Sequence, residues 1–419
     1  MDHFELQNGA MCVEGVPLST IAAEVGTPAY IYSAGTLRRH ARVFQQALSG
    51  LDQPLVAFAV KANPNLAVLR LLGREGLGAD VVSAGEMRSA LAAGIPANRI
   101  VFSGVGKTAD EMQAALEAGI LQLNVESEEE LRRLSAVATA LQKTADIAIR
   151  VNPDVDAQTH AKISTGKAEN KFGVPLDRIE ALYAEAATLP GIRPVGVAAH
   201  IGSQLLDLAP MEAAYRKLGA LVGRLRAAGQ SVTRVDLGGG LGIPYDPKLP
   251  LPPSPADYGA MVERVTKDWG VRLMFEPGRL IAGNAGVLLS RVIFVKTGAT
   301  RSFVVLDAAM NDLIRPTLYG VYHDIRAVRP RPGAMVATIV GPVCETGDMF
   351  AEDRSITPVE DGDLVCLMTA GAYGATMAST YNSRPLVPEV LVDGDHYAVI
   401  RKRQTIEDML ELDRIPDWL

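Results

Sequence analysis

Val56-Ala57-Phe58-Ala59-Val60-Lys61-Ala62-Asn63-Pro64-Asn65 is a short apolar run that ends abruptly in a lysine and a turn-forming tail. The run has the length and bounding residues of a fully buried strand. Reading on, the same unit recurs: a short apolar strand, a polar or small-residue turn, then an amphipathic helix. The strands fall at Val56–Val60, Ala79–Ser83, Arg99–Ser103, Leu121–Glu126, Ile147–Asn152, Val195–His200, Arg234–Leu237 and Arg272–Phe275. Helical patterns lie between them at Glu86–Ala93, Ala109–Ala118, Glu128–Leu141, Leu176–Ala187, Met211–Ala228 and Pro255–Trp269. Strands alternating with helices predict a parallel sheet, and eight such units predict a closed (β/α)8 barrel of the TIM type.

Past residue 281 the texture changes. Val287–Lys296, Ser302–Leu306, Met335–Val340, Asp363–Thr369 and Glu389–Arg401 are rich in Val and Ile and separated by turn signals, which predicts a mostly β domain. The opening segment, including Pro28–Tyr32, is strand-like as well. The expected organisation is a barrel over residues 36–281, with residues 1–35 and 282–419 forming the β domain.

Composition bounds the function. The chain has 41 basic and 48 acidic residues, net −7, which argues against a nucleic-acid-binding surface. Three cysteines, Cys12, Cys344 and Cys366, do not make a disulfide framework and fit a reducing compartment. No apolar stretch has membrane-spanning length, and Asp2 and Glu5 stand where a signal peptide has its basic region. The expectation is a soluble cytoplasmic protein with no metal site, no membrane partner and a small-molecule ligand.

Barrel enzymes place their chemistry at the C-terminal ends of the strands. Strand one ends in Lys61; strand six in His200-Ile201-Gly202-Ser203-Gln204; strand seven in Asp236-Leu237-Gly238-Gly239-Gly240; strand eight in Glu276-Pro277-Gly278-Arg279. Each has a plainer reading. A lone strand-end lysine most often snorkels outward, a glycine run is often only a turn, Glu276 and Arg279 alone read as a surface ion pair, and a single histidine is more often structural. Their shared position favours function. A partly desolvated lysine can act as a Schiff-base nucleophile. Glycines after strand seven let backbone N–H groups approach phosphate oxygens, which barrels commonly bind there.

Assembled, these residues resemble the fold-type III pyridoxal 5'-phosphate (PLP) enzymes, which comprise alanine racemases and the decarboxylases that share their barrel. Glu276 suits the decarboxylase branch, because a carboxylate holds the pyridine nitrogen protonated and makes the ring a full electron sink. Racemases of this family place an arginine there. Among the decarboxylases, the chain is most similar to the diaminopimelate decarboxylases. The motifs span nearly its whole length: Gly26-Thr27-Pro28-Ala29-Tyr30-Ile31-Tyr32, Asp80-Val81-Val82-Ser83, Ile163-Ser164-Thr165-Gly166, Asn170-Lys171-Phe172-Gly173, Arg315-Pro316-Thr317-Leu318-Tyr319, Gly341-Pro342-Val343-Cys344-Glu345 and Gly371-Ala372-Tyr373-Gly374, beside those already quoted.

The resemblance implies that Lys61 carries PLP as a Schiff base and His200 stacks on its ring. It assigns Ser203, Gly238, Gly239, Gly240, Gly278, Arg279 and Tyr373 to cofactor binding, and Glu276 to the pyridine nitrogen. Arg279, Arg315, Tyr319, Glu345 and Tyr373 would bind substrate, with Glu345 on the distal ammonium. Cys344 would donate the proton after carbon dioxide leaves. The β domain would contribute to the substrate site and the dimer interface, with Cys344 and Glu345 reaching the site of the partner in a homodimer with shared active sites. The implied reaction is decarboxylation of meso-2,6-diaminopimelate to L-lysine, the final step of lysine biosynthesis. Decarboxylation of another basic amino acid (ornithine, arginine or a D-amino acid) is the alternative. Ornithine and arginine decarboxylases usually carry Cys-Asp where this chain has Cys344-Glu345.

Overall fold

In the computed structural model, residues 2–156, 165–166 and 170–419 are described. Ile163 and Ser164 of the Ile163–Gly166 motif lie outside them. Eight strands, Leu55–Ala59, Gly78–Val81, Ile100–Phe102, Gln122–Val125, Ala145–Asn152, Ile192–Ala198, Arg234–Asp236 and Arg272–Phe275, pair in sequence order. Every pairing between them is parallel, and the eighth returns to the first through Phe275↔Val56. The sheet is therefore closed, as the repeated unit predicts. A two-residue strand, Val174–Pro175, adds to the outer end of the fifth strand. Inside, Leu55, Ala57, Val101 and Met274 pack together and fill part of the barrel interior.

The helices form where the apolar spacing is helical and the ends are capped. Ala109–Ala118 opens on a capping box between Thr108 and Glu111 and closes on Gly119 in the left-handed region. Two barrel helices, Ala34–Ala47 and Leu66–Arg74, were not legible from the strand count alone. The second begins at Asn65, whose side chain accepts from the Ala67 amide. The tail of the opening motif thus serves as a helix N-cap.

The β unit comprises Met1–Leu37, Pro244–Pro250 and Ala282–Leu419; the barrel unit comprises Arg38–Ile243 and Leu251–Ile281. The main path of the β unit's sheet runs Met349–Ile356, Met335–Val340, Ser302–Leu306, Gly286–Thr297, Ala29–Ser33, Glu389–Asp393 and His396–Arg401. The early strand Ala29–Ser33 sits in mid-sheet, antiparallel to Gly286–Thr297 (Leu288↔Tyr30) and parallel to Glu389–Asp393 (Val390↔Ile31). The run expected at Glu389–Arg401 is two strands, because Gly394 at φ +66° turns the chain between Asp393 and Asp395. Val287, Leu289, Ile31, Val390 and Cys366 share its core with the N-terminal residues Phe4, Val13 and Leu18.

Candidate active site

Strand one ends before its apolar run does. The strand stops at Ala59, and Val60–Ala62 makes a tight turn of helix that carries Lys61 off the strand axis. Lys61 remains 37% exposed while its Nζ lies 2.6 Å from Oδ2 of the fully buried Asp80, at the end of strand two. An outward-snorkelling lysine has no such partner.

The floor of the site is a closed polar ring. Ser103 Oγ donates to Glu276 Oε1 at 3.3 Å, and Asn124 Nδ2 donates to Ser103 Oγ at 3.1 Å and to Asp236 Oδ2 at 3.1 Å. The Asp236 and Glu276 carboxyls are themselves in hydrogen-bonding contact. All four residues are buried. Burial pushes the Glu276 carboxyl well above the usual carboxylate range; neighbouring Asp236 and Asp80 push the same way and Lys61 opposes them. Asp236 is also raised, first by burial. Two buried carboxyls in contact cannot both ionise cheaply.

His200 follows strand six, and its Nδ1 accepts the Gly239 amide at 3.1 Å, which leaves the ring proton on Nε2. Desolvation first, then Arg150 and Lys61, hold its pKa well below the usual histidine range, so the imidazole is neutral. The glycine run permits a close approach of three loops. A Cβ at Gly239 would stand 2.2 Å from the Glu276 carbonyl oxygen, and one at Gly240 (φ +117°) 2.4 Å from that of Gly202. Arg279, 8% exposed, donates from Nη2 to Ser203 Oγ at 3.1 Å. The barrel thus brings Lys61, His200, Ser203, Gly238–Gly240, Glu276 and Arg279 to one end of its strands.

The β-unit candidates divide into two kinds. Arg315 is buried; its Nη1 donates to Tyr245 Oη at 2.9 Å and meets His323 Nε2 at 3.2 Å. His323 Nδ1 lies 2.8 Å from the Met368 carbonyl, which fixes the tautomer that leaves Nε2 as the acceptor. Cys344, by contrast, is exposed, which excludes a buried packing role. Its amide donates to Asn382 Oδ1 at 3.0 Å, and the Tyr381 hydroxyl hydrogen-bonds Glu345. Buried Asp348 anchors this loop by accepting the Val343 and Met310 amides, both at 2.7 Å. Tyr373 stands at φ +56°, a conformation uncommon for a non-glycine residue and enriched at functional sites.

Several of these partners escape a reading of motifs. Asp80 and Asp236 lie in quoted motifs without an assigned role. Ser103, Asn124, Tyr245, His323, Asp348 and Asn382 carry no local signal beyond being polar at element ends. Among the described residues no cluster of His, Cys, Asp or Glu could hold a metal, and no helix is long and apolar enough to cross a membrane.

A parallel barrel that gathers a lysine, a buried carboxyl, a neutral histidine and a glycine loop at its strand ends has the parts that a pyridoxal-dependent enzyme needs. Residues 34–283 match the family described as pyridoxal-dependent decarboxylase, pyridoxal binding domain. The chain is 56% identical over 418 residues to the diaminopimelate decarboxylase of Zymomonas mobilis, covering 99% of each. It superposes on the crystal structure of diaminopimelate decarboxylase from M. jannaschii in co-complex with L-lysine with TM-score 0.96 at 36% identity, covering 100% of this chain and 99% of that one. The Helicobacter pylori enzyme complexed with L-lysine gives 0.91 at 40% identity, covering 94% and 98%. The chain belongs to the diaminopimelate decarboxylase family. It is a carboxy-lyase, and its cofactor is pyridoxal 5'-phosphate.

The residues present fit that cofactor. Lys61 is an amine on a buried carboxylate at the barrel mouth, Glu276 is a strongly basic buried carboxyl for a ring nitrogen, and the Gly238–Gly240 loop lies at the end of strand seven.

Proposed function

We propose that this chain removes carbon dioxide from meso-2,6-diaminopimelate to leave L-lysine, as the last step of lysine biosynthesis, in a cytoplasmic homodimer whose active sites are shared. The observation that carries the substrate reading is the pairing of Cys344 with a glutamate rather than an aspartate, on a loop anchored by Asp348 and braced by Asn382 and Tyr381. The full-length likeness to diaminopimelate decarboxylases supports it.

Lys61 would hold the cofactor covalently; Gly238–Gly240, with Tyr373 nearby, would serve its phosphate; Ser203, Gly278 and Arg279 would complete the cofactor site; His200 would face its ring and Glu276 its nitrogen. When bound, the cofactor supplies an electron sink for the bonding pair released as the carboxylate departs. The chain's own groups do the rest. Asp80 holds the Lys61 ammonium in place with its carboxylate. Neutral His200 adds no positive charge beside the ring. Arg279 and Arg315 present forked guanidiniums to substrate carboxylates, orienting the one to be lost. Tyr319 adds a hydroxyl, and Glu345 pairs with the distal ammonium, which diaminopimelate and lysine both carry. Cys344 Sγ–H protonates the α-carbon as general acid.

Cys344 and Glu345 are exposed in the single chain. A general acid works best shielded from water, so a second copy that covers this loop completes the reading. The test is carbon dioxide release by the PLP-loaded protein from meso-diaminopimelate, with ornithine, arginine and lysine in parallel. Release from diaminopimelate alone is expected. Release only from another amino acid keeps the decarboxylase and overturns the reading of Glu345.

A further inference from the structure

The ring beneath the site has a member that the reaction as derived above does not use. We propose that Asp236 is a positioning residue for the cofactor. Locked with Ser103 and Asn124 against Glu276, its carboxyl fixes the Glu276 side chain and supplies the second negative charge that keeps the ring nitrogen protonated. The proposal rests on the reading of Glu276 as the partner of that nitrogen.

Geometry carries the inference. Asp236 is 1% exposed and both of its oxygens are committed: Oδ1 accepts the Gly238 amide at 2.9 Å, and Oδ2 accepts Asn124 Nδ2 at 3.1 Å. Asn124 is itself held by Gln122 Nε2 on its Oδ1 at 2.8 Å, so its amide orientation is set and its Nδ2 must face Asp236 and Ser103. Ser103 Oγ then points its proton at Glu276 Oε1. A carboxylate in the ring cannot turn without breaking a buried hydrogen bond. The same residue ties the ring to the glycine loop through Gly238, so the nitrogen partner and the loop at strand seven share one anchor.

Electrostatics agree. Facing the Asp236–Glu276 pair are Asp80 and Lys61 from the first two strand ends, and the buried phenols Tyr215 and Tyr258, which feel the charge of Asp236 from the helices behind. With Lys61 facing three carboxyls, burial and mutual repulsion favour a proton shared by the Asp236–Glu276 pair in the cofactor-free chain. A protonated ring nitrogen brings the missing positive charge, and both carboxyls are then ionised. Asp236 thereby acts on the nitrogen through Glu276 and without touching it.

The experiment is 15N NMR of the ring nitrogen in holoenzyme reconstituted with labelled PLP, for wild type, Glu276→Gln and Asp236→Asn. The expected result is a protonated nitrogen in wild type, a large move toward the unprotonated position in E276Q, and a smaller move the same way in D236N. In D236N kcat falls about tenfold, one pK unit's worth of nitrogen basicity, with KM unchanged. A moved E276Q resonance with an unmoved D236N resonance overturns the inference and leaves Glu276 in place. An unmoved E276Q resonance overturns the reading of Glu276 and the inference with it. Because D236N sets two amide donors face to face, the double variant Asn124→Asp/Asp236→Asn is included. It restores the hydrogen bond and moves the charge one link away. It is expected to keep the shifted resonance, and return to the wild-type position contradicts the charge argument. Infrared difference spectra give a reading on the cofactor-free chain: the C=O stretch of a protonated carboxyl is expected in wild type, and its absence contradicts the shared proton.

Discussion

The barrel unit and the β unit hold their candidate groups in opposite ways. In the barrel, Lys61 leans on Asp80, Glu276 on Asp236 and Ser103, His200 on the Gly239 amide, and Arg279 on Ser203. Each is fixed by a neighbour on another strand end. In the β unit Arg315 is treated this way, between Tyr245 and His323. Cys344 and Glu345 stand in the open, although their loop is pinned from beneath by Asp348. Preorganisation of a charged group needs burial and satisfied partners. The difference teaches that the barrel's candidate groups are fixed by buried partners, whereas Cys344 and Glu345 stand exposed on an anchored loop.

Substitutions can break that comparison. The largest effect is expected at the barrel: Lys61→Ala removes the covalent anchor and lowers kcat by at least roughly a thousandfold. Loss of the absorbance of covalently held cofactor is the check. Retained absorbance contradicts the role given to Lys61. Next comes Cys344→Ala, expected to lower kcat by about a hundredfold or more while cofactor absorbance and KM stay put, as removal of a general acid does. A fall in cofactor affinity instead ties Cys344 to the cofactor site. Glu345→Gln sharpens the contrast within the β unit: KM for diaminopimelate rises about tenfold, since a charged partner of the ammonium becomes a neutral one. An unchanged KM removes Glu345 from substrate binding.

The smallest effect concerns stability. His200 has a depressed folded pKa, whereas an unfolded histidine takes up its proton near pH 6.5, so lowering the pH below that value favours the unfolded chain. Cofactor-free wild type loses unfolding free energy on this side at no more than about 1.4 kcal/mol per pH unit from this group, seen as a falling Tm. His200→Asn is expected to flatten the fall between pH 6.5 and 5, and equal slopes in the two proteins contradict a neutral buried imidazole.

The barrel was legible because its signals are local and repeated: eight apolar runs ending in polar residues, at the positions where the fold puts chemistry. The individual candidates were legible for the same reason, Lys61 at one strand end and Glu276 at another. What holds them was not. Asp80, Asn124 and Ser103 meet Lys61, Asp236 and Glu276 only because a closed barrel brings distant strand ends together, and no window of sequence contains that closure. In the β unit Asp393-Gly394-Asp395 marked a turn, yet the run around it reads as one strand. The central place of Ala29–Ser33 depends on pairing with segments more than 250 residues away, beyond the reach of any local pattern.

The most direct test of the account mixes two inactive proteins. Lys61→Ala and Cys344→Ala are unfolded together, refolded in equal amounts with PLP, and assayed for carbon dioxide release from meso-diaminopimelate. If the β-unit loop serves a partner's barrel, half of the dimers are mixed and each has one intact site, so roughly a quarter of wild-type activity returns. No recovery from a mixture shown to contain mixed dimers contradicts the shared site and returns Cys344 to the barrel of its own chain.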